Sequence, residues 1–360
     1  MNLSAVERMS RRLVIASLVF LTATSWNTIS RAENPIFPQG ATLELLHSRT
    51  AKLNSGLTEG PAVAPDGSIY FTDMPFGSDN GMILRFDPRT KSVTTFTENA
   101  HKSNGLAFDF EGNLLSCDGA DGGGRCVRRW DLKTGRSEIV ADRYRGKRLN
   151  SPNDLVVDWK GRVYFSDPRY GGTEARELAT EAVYRVERDG TVVEITHEVE
   201  KPNGLAISPD RNTLYVVDHN NGGNRLSPDD PPPRRGAMKV YAFALDEDGL
   251  VKGPRKTLID FGSENGCDGM RVDAAGNLYL ASRSLARPGI LVLDPGGKQL
   301  AFLPTGPTAQ SGLFDHWKGI PSNLEFGVGD DAGWLYVTID KTLNRVRVKT
   351  RGFHPQSSRK

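Results

Sequence analysis

Six oxygen-bearing side chains, Glu59, Asn104, Asn153, Asn203, Asp268 and Asn323, head six similar stretches of this chain. Two are carboxylates, four are amides, and none is histidine or cysteine. Brought together, such a set would suit a hard divalent cation, calcium or magnesium, better than zinc. An Asn before Gly also makes a ready turn into a strand, and that accounts for any one position taken alone. It does not account for Glu59 and Asp268, because a carboxylate aimed into a narrow space is costly without a counter-charge. Arg169, Tyr170, His219, His316 and Trp317 stand at loop positions where they could meet the hydroxyls of a polar substrate; loop capping and rim packing are the alternative.

Other chemistries find no support. Cys267 precedes Asp268 without an activating base nearby and reads as a small buried residue. No Gly-x-Ser-x-Gly elbow is present for a serine nucleophile. The glycine runs 122–124 and 222–223 lack the spacing of a phosphate-binding loop. Asp246-Glu247-Asp248-Gly249 begins like a calcium loop, but no ligand-bearing continuation follows, so it reads as a hairpin turn. A net charge of +2 gives no footing for nucleic acid.

The elements that must position these residues are hairpins. Asn153-Asp154 leads into an apolar strand at Leu155-Val156-Val157, a turn follows at Trp159-Lys160-Gly161, and a second strand runs from Val163 to Asp167. The same order of parts begins at Glu59, Asn104, Asn203, Asp268 and Asn323. The copies recur at roughly 45 to 65 residues, the spacing of propeller blades. Third strands follow at 82–87, 127–131, 182–186 and 239–243, and outer strands at 92–96 and 191–195. The expectation is an all-β, six-bladed β-propeller with four-stranded blades, whose inner strands carry the leading residues to one axis. A strand within 41–50 would complete the last blade beside the C-terminal strands and leave no open edge. Two irregular loops, 171–180 and the proline-rich 220–236, would emerge on one face, either roofing a cleft or lying as solvated insertions.

Residues 1–32 follow a different pattern, with Arg8, Arg11 and Arg12 ahead of an apolar run from Leu13 to Trp26. This reads as an export signal peptide leading to the periplasm; Ser10-Arg11-Arg12 resembles part of a twin-arginine signal. An uncleaved anchor is the alternative, although the run is short of the ~20 residues a span requires. Residues 33–40 read as a linker, 41–350 as one propeller domain and 351–360 as a tail, with no stable membrane insertion once the signal is removed. Cys117 and Cys126 flank the glycine-rich loop 118–124 and could face one another in an oxidising compartment.

Glu59-Gly60-Pro61, Pro152-Asn153-Asp154 with Val157-Asp158 and Gly161, Pro202-Asn203-Gly204-Leu205, and Asp268-Gly269-Met270 with Val272-Asp273 and Gly276 occur in the order found in a known family. Over about 58–338 the chain resembles the gluconolactonase, senescence-marker-protein and luciferin-regenerating-enzyme family. Leu149 to Asp154 and Phe165 to Gly171 resemble its bacterial gluconolactonase branch. The resemblance implies a six-bladed propeller holding a divalent metal, usually calcium, and hydrolysing a small-molecule lactone. It implies Glu59, Asn203 and Asp268 as metal ligands, Asn153 as a fourth axial residue touching metal or substrate, and Asp268 as the catalytic acid/base. Asn104, Arg169, Tyr170 and His219 are the remaining candidates for substrate contacts. Ser151 stands where vertebrate members have an arginine for the sugar acid, so those contacts do not transfer. A related propeller arylesterase or organophosphate hydrolase, and a non-catalytic ligand-binding propeller, are the competing expectations.

Overall fold

A computed structural model describes residues 34–49, 56–74, 79–223, 232–306 and 319–355. The expected signal segment, part of the loop 220–236, and His316 and Trp317 lie outside the described residues.

In five of the six blades the inner hairpin is closed by an aspartate whose side chain does the work of a turn. Asp158 Oδ1 accepts from the backbone N–H groups of Lys160 (2.8 Å) and Arg162 (3.0 Å), and Asp109 and Asp273 bind their own turns in the same way. With the turn fixed, the alternating apolar residues of the flanking strands fall on matching faces.

The hairpins assemble into six four-stranded antiparallel sheets. Blade I contains the strands Leu57–Val63, Ile69–Met74, Met82–Asp87 and Ser92–Thr97, in that order from the axis outward. Blades II to V follow over 103–141, 155–196, 202–260 and 267–304. Blade VI takes three strands from 321–347 and its outermost strand, Glu44–Ser48, from the other end of the chain. Glu44 lies opposite Arg345 in that pairing and accepts a 2.8 Å bond from its Nε, so the ring closes with an ion pair as well as a ladder. The expected N-terminal closure is therefore present. Apolar layers fill the space between neighbouring sheets; one of them joins Leu115, Cys117 and Val127 of blade II to Leu155, Phe165 and Tyr184 of blade III. Residues read as a linker also pack inward: Ile36 and Phe37 are buried against blades V and VI.

Around the axis the inner strands come closer than side chains would allow. In five blades the pairing of the innermost strand slips at the leading residue, between Glu59 and Ala62, Ser103 and Leu106, Pro202 and Leu205, Cys267 and Met270, and Pro321 and Asn323. Such a bulge re-aims one side chain, here toward the hub. The following glycine makes the approach possible, since a Cβ on Gly60 would overlap the carbonyl oxygen of Asn104 and one on Gly204 would stand 2.6 Å from the carbonyl oxygen of Asp268. The Asn-Gly and Asp-Gly pairs thus serve blade-to-blade contact, and not only local turns.

The far end of the hub is closed. Residues 351–355, read from sequence as the start of a tail, lie against blade V, with Phe353 N–H donating to the Val272 carbonyl at 3.0 Å. Phe353, His354 and Pro355 join Arg271 and Glu325 in walling a void of about 30 Å³ there.

Cys117 and Cys126 are both buried free thiols. Cys117 pairs across the ladder with Val127 and Cys126 with Asp118, so the two sulfurs leave opposite faces of the sheet and the expected facing arrangement is not formed.

Gly60 has φ +48° in addition to its contact with Asn104. Gly60→Ala should therefore lose about 3 kcal/mol of stability or more in urea unfolding, since it meets both backbone strain and overlap. A loss within experimental error would contradict the close hub packing.

Candidate active site

At the open end of the hub lies a cavity of about 790 Å³. Five of the six leading residues, Glu59, Asn104, Asn153, Asn203 and Asp268, stand in its wall. Asn323 does not. It sits deeper, buried, where its Oδ1 accepts from Leu324 N–H at 2.9 Å and its Nδ2 reaches Asp154 Oδ2 at 3.4 Å.

The lead-in loops are held by carboxylates at the ends of the second strands. Asp167 accepts from the N–H groups of Asn150 (2.8 Å) and Ser151 (2.7 Å), and Asp218 from those of Glu200 and Lys201 (both 2.9 Å). These clamps fix the backbone just before Asn153 and Asn203. Burial pushes the Asp167 carboxyl up to about 7 against the opposing pull of its two N–H donors.

Glu59 and Asp268 are buried carboxylates, and the charge of Asp268 disfavours ionisation of Glu59. Burial is the larger cause and the charge of Asp268 the next in raising Glu59 well above the usual range. Asp268 is raised by burial, and Arg283 opposes that shift most strongly. Arg283 Nη1 binds Asp268 Oδ2 at 2.5 Å, so the protein itself supplies part of the counter-charge that the sequence led us to expect from a metal alone. Beneath them Asp154 is held by Asn323 and lies 3.8 Å from Arg271, whose Nε donates to Glu325 at 3.1 Å.

Among the described residues no cluster of three or more His, Cys, Asp and Glu side chains forms a metal site. What the hub offers is a different donor set, the carboxylates of Glu59 and Asp268 with the amides of Asn153 and Asn203. Two buried carboxylates, both raised by burial and one of them further by the charge of the other, fit a hard cation when set beside amide oxygens. Asn203 Nδ2 donates to Tyr170 Oη at 3.1 Å, and Tyr170 Oη donates to the His219 carbonyl at 3.2 Å. With its nitrogen so engaged, Asn203 has its carbonyl oxygen to offer a cation.

His219 also lines the cavity. Its Nδ1 lies 3.0 Å from the Cys267 carbonyl, which can only accept, so the proton is on Nδ1 and Nε2 carries the lone pair. Burial, aided by Arg283, lowers its pKa to about 3. A base that weak does not serve as the proton acceptor at neutral pH; its use is to accept a hydrogen bond. Cys267 is buried and burial pushes its thiol well up, an environment that disfavours the thiolate.

Tyr170, Gly171, Gly172 and Thr173 from one irregular loop and Asn221 from the other stand in the wall, so both loops contribute to the roof. Arg169 is not among the walls. It is 2% exposed and braces the first loop, donating to the Glu174 carbonyl at 2.6 Å, while Glu174 accepts from Gly122 N–H at 2.8 Å. Arg283 was not singled out from sequence, although a positional signal exists. The position just past, or at the close of, the second strand supplies Met74, Gly119, His219 and Arg283 to the cavity in four different blades.

A family profile described as the SMP-30/Gluconolactonase/LRE-like region matches residues 119–339. A gluconolactonase of Zymomonas mobilis subsp. mobilis is 29% identical, covering 96% of this chain and 99% of its own. The pentonolactonase XacC of Haloferax volcanii is 27% identical over 81% of this chain and 84% of its own. Among solved structures, a gluconolactonase from Xanthomonas campestris superposes with a TM-score of 0.67 at 27% identity, covering 86% of this chain and 90% of that one.

Two measurements test this geometry. In NMR spectra His219 should keep its Nδ1 proton and show no titration between pH 5 and 8, given a pKa near 3; a midpoint near the ordinary value of about 6.5 would contradict its burial. Asp167 has the opposite sign. With its folded pKa raised to about 7, its contribution to stability is full below its unfolded value and is lost as pH rises through 7. The thermal midpoint of the wild type should therefore fall relative to Asp167→Asn between about pH 4 and pH 8, whereas parallel profiles would show the carboxyl unshifted.

Proposed function

The chain belongs to the SMP-30/gluconolactonase/LRE-like family, and from that premise we propose that it hydrolyses a sugar lactone such as gluconolactone to its aldonic acid, assisted by a divalent cation, with calcium the ion its oxygen donors suit best. The observation that carries this reading is the convergence of Glu59, Asn153, Asn203 and Asp268 on one cavity large enough to admit a sugar lactone. The curated relatives named gluconolactonase and pentonolactonase support the substrate class. The arginine-led apolar segment at the N-terminus supports export, with the periplasm as the site of action.

Glu59, Asn203 and Asp268, with Asn153 beside them, would hold the cation. Bound there, it supplies Lewis-acid polarisation of the lactone carbonyl and offsets charge in the tetrahedral intermediate. Asn104 and Asn153 orient the ring by hydrogen bonds to its hydroxyls, and His219 Nε2 accepts another. Asp268 takes a proton from water as the water oxygen bonds to the carbonyl carbon, then returns it to the ring oxygen as the ester C–O bond breaks. Arg283 holds Asp268 Oδ2, which fixes the direction of the carboxylate and weakens it as a base.

Glu59→Gln and Asp268→Asn should each lower gluconolactone hydrolysis by at least about a hundredfold and reduce bound calcium, with Asp268→Asn the more damaging to turnover at saturating cation. Wild-type turnover by either variant would remove this site from the reaction.

A further inference from the structure

We propose that Arg283 is a positioning residue that sets how tightly the hub holds its cation: its guanidinium is a built-in counter-charge that stabilises the ion-free protein and weakens cation binding. This deepens the cation reading given above and rests on it. Arg283 follows directly on the second strand of blade V, Leu278–Ser282, and stands in the cavity wall, 6% exposed.

The backbone fixes its place. Arg283 N–H donates to the Gly266 carbonyl at 2.9 Å and Ser282 pairs with Cys267, so the end of this strand is tied to the start of the one that carries Asp268. From there Nη1 reaches Asp268 Oδ2. The two side chains are 8% and 12% exposed, so salt and solvent screen the pair little. The same guanidinium acts on Glu59 through space, favouring its ionised form, and Asn203 gives Asp268 a further hydrogen bond. The corresponding strand ends of blades I, II and IV place Met74, Gly119 and a neutral His219 in the wall. The guanidinium thus stands on the blade that bears Asp268.

The neighbouring charges are answered separately. Lys102, the other cation in the wall, pairs with Asp121, and Asp154 beneath the cavity lies beside Arg271. Two buried carboxylates and one guanidinium therefore make up the charge at the open end of the hub. Without Arg283, Glu59 and Asp268 would be left with amides for company, an arrangement that is costly when empty and strongly attractive to a divalent ion. With Arg283 the empty hub is less strained, and an approaching cation meets a carboxylate already shared with a guanidinium whose charge repels it. Cation and arginine compete for Asp268. An ordinary structural brace would support stability and ligand affinity together, whereas a resident counter-charge moves them in opposite directions.

The test is calorimetric titration of calcium into chelator-treated wild type, Arg283→Met and Arg283→Lys, with thermal midpoints in chelator and in excess calcium. Methionine removes the charge and keeps an unbranched stem, while lysine keeps the charge and loses the planar fork. Arg283→Met should bind calcium at least about tenfold more tightly than the wild type. Its midpoint in chelator should fall by at least about 5 °C, the consequence of leaving a buried carboxylate unpaired. Calcium should then raise that midpoint further than it raises the wild type's. Arg283→Lys should stay within about threefold of wild-type affinity. If Arg283→Met is recovered folded only in calcium, competition with a chelator of known affinity reads the same tightening. Calcium bound equally or more weakly by Arg283→Met, or a variant that stays unfolded at saturating calcium, would overturn the proposal. The two readings fail differently. No calcium bound by either wild type or Arg283→Met removes the cation site and this inference with it, whereas equal binding by both sinks this inference alone. Neither readout depends on hydrolysis, so the choice of lactone does not enter.

Discussion

The structure depends on how closely its inner strands approach at the hub. Gly60, Gly105, Gly204 and Gly269 leave no side chain between successive blades, and a Cβ at any of them would overlap the neighbouring strand or its side chains. With the ring drawn in, the bulges at Glu59, Asn104, Asn203 and Asp268 turn oxygen donors into the wall of one cavity, which Asn153 joins. Residues separated by more than two hundred positions, such as Glu59 and Asp268, thereby come to share one electrostatic environment.

That concentration of carboxylates sets the chemistry. Glu59 and Asp268 are pushed upward by burial, and Arg283 restrains Asp268. A second layer lies below, where Asp154 and Glu325 flank Arg271 and the C-terminal residues 353–355 close the hub. The hub is therefore a column of alternating charge with one open end, and that end carries the polar groups a lactone would meet. The arrangement leaves His219 as a neutral acceptor and Tyr170 as a brace for Asn203, although both are side-chain types often used for proton transfer.

Much of this was legible in the sequence because a propeller repeats itself. The hairpin pattern of 153–167 recurs with its turn aspartate and leading polar residue, and the number of copies and the closure by 44–48 follow from counting strands. What escaped notice depended on direction. Arg283 belongs to no motif and becomes visible only when strand ends are aligned across blades. Asn323 shares its type with Asn153 and Asn203 but is buried beneath the cavity, because depth along the axis is not encoded in spacing. Arg169 stands next to Tyr170 in the chain, yet it braces a loop while Tyr170 lines the cavity. Cys117 and Cys126 are near in sequence but on opposite faces of their sheet, a consequence of register that composition cannot reveal.

The central claim is that the hub carboxylates and amides form one cation site serving lactone hydrolysis. Anomalous diffraction from crystals grown with manganese or strontium in place of calcium tests it most directly. The account predicts one strong peak enclosed by Glu59, Asn153, Asn203 and Asp268, displaced toward neither the far end of the hub nor the outer blades. A catalytically active crystal form with no peak there, or with its only peak elsewhere, would contradict it.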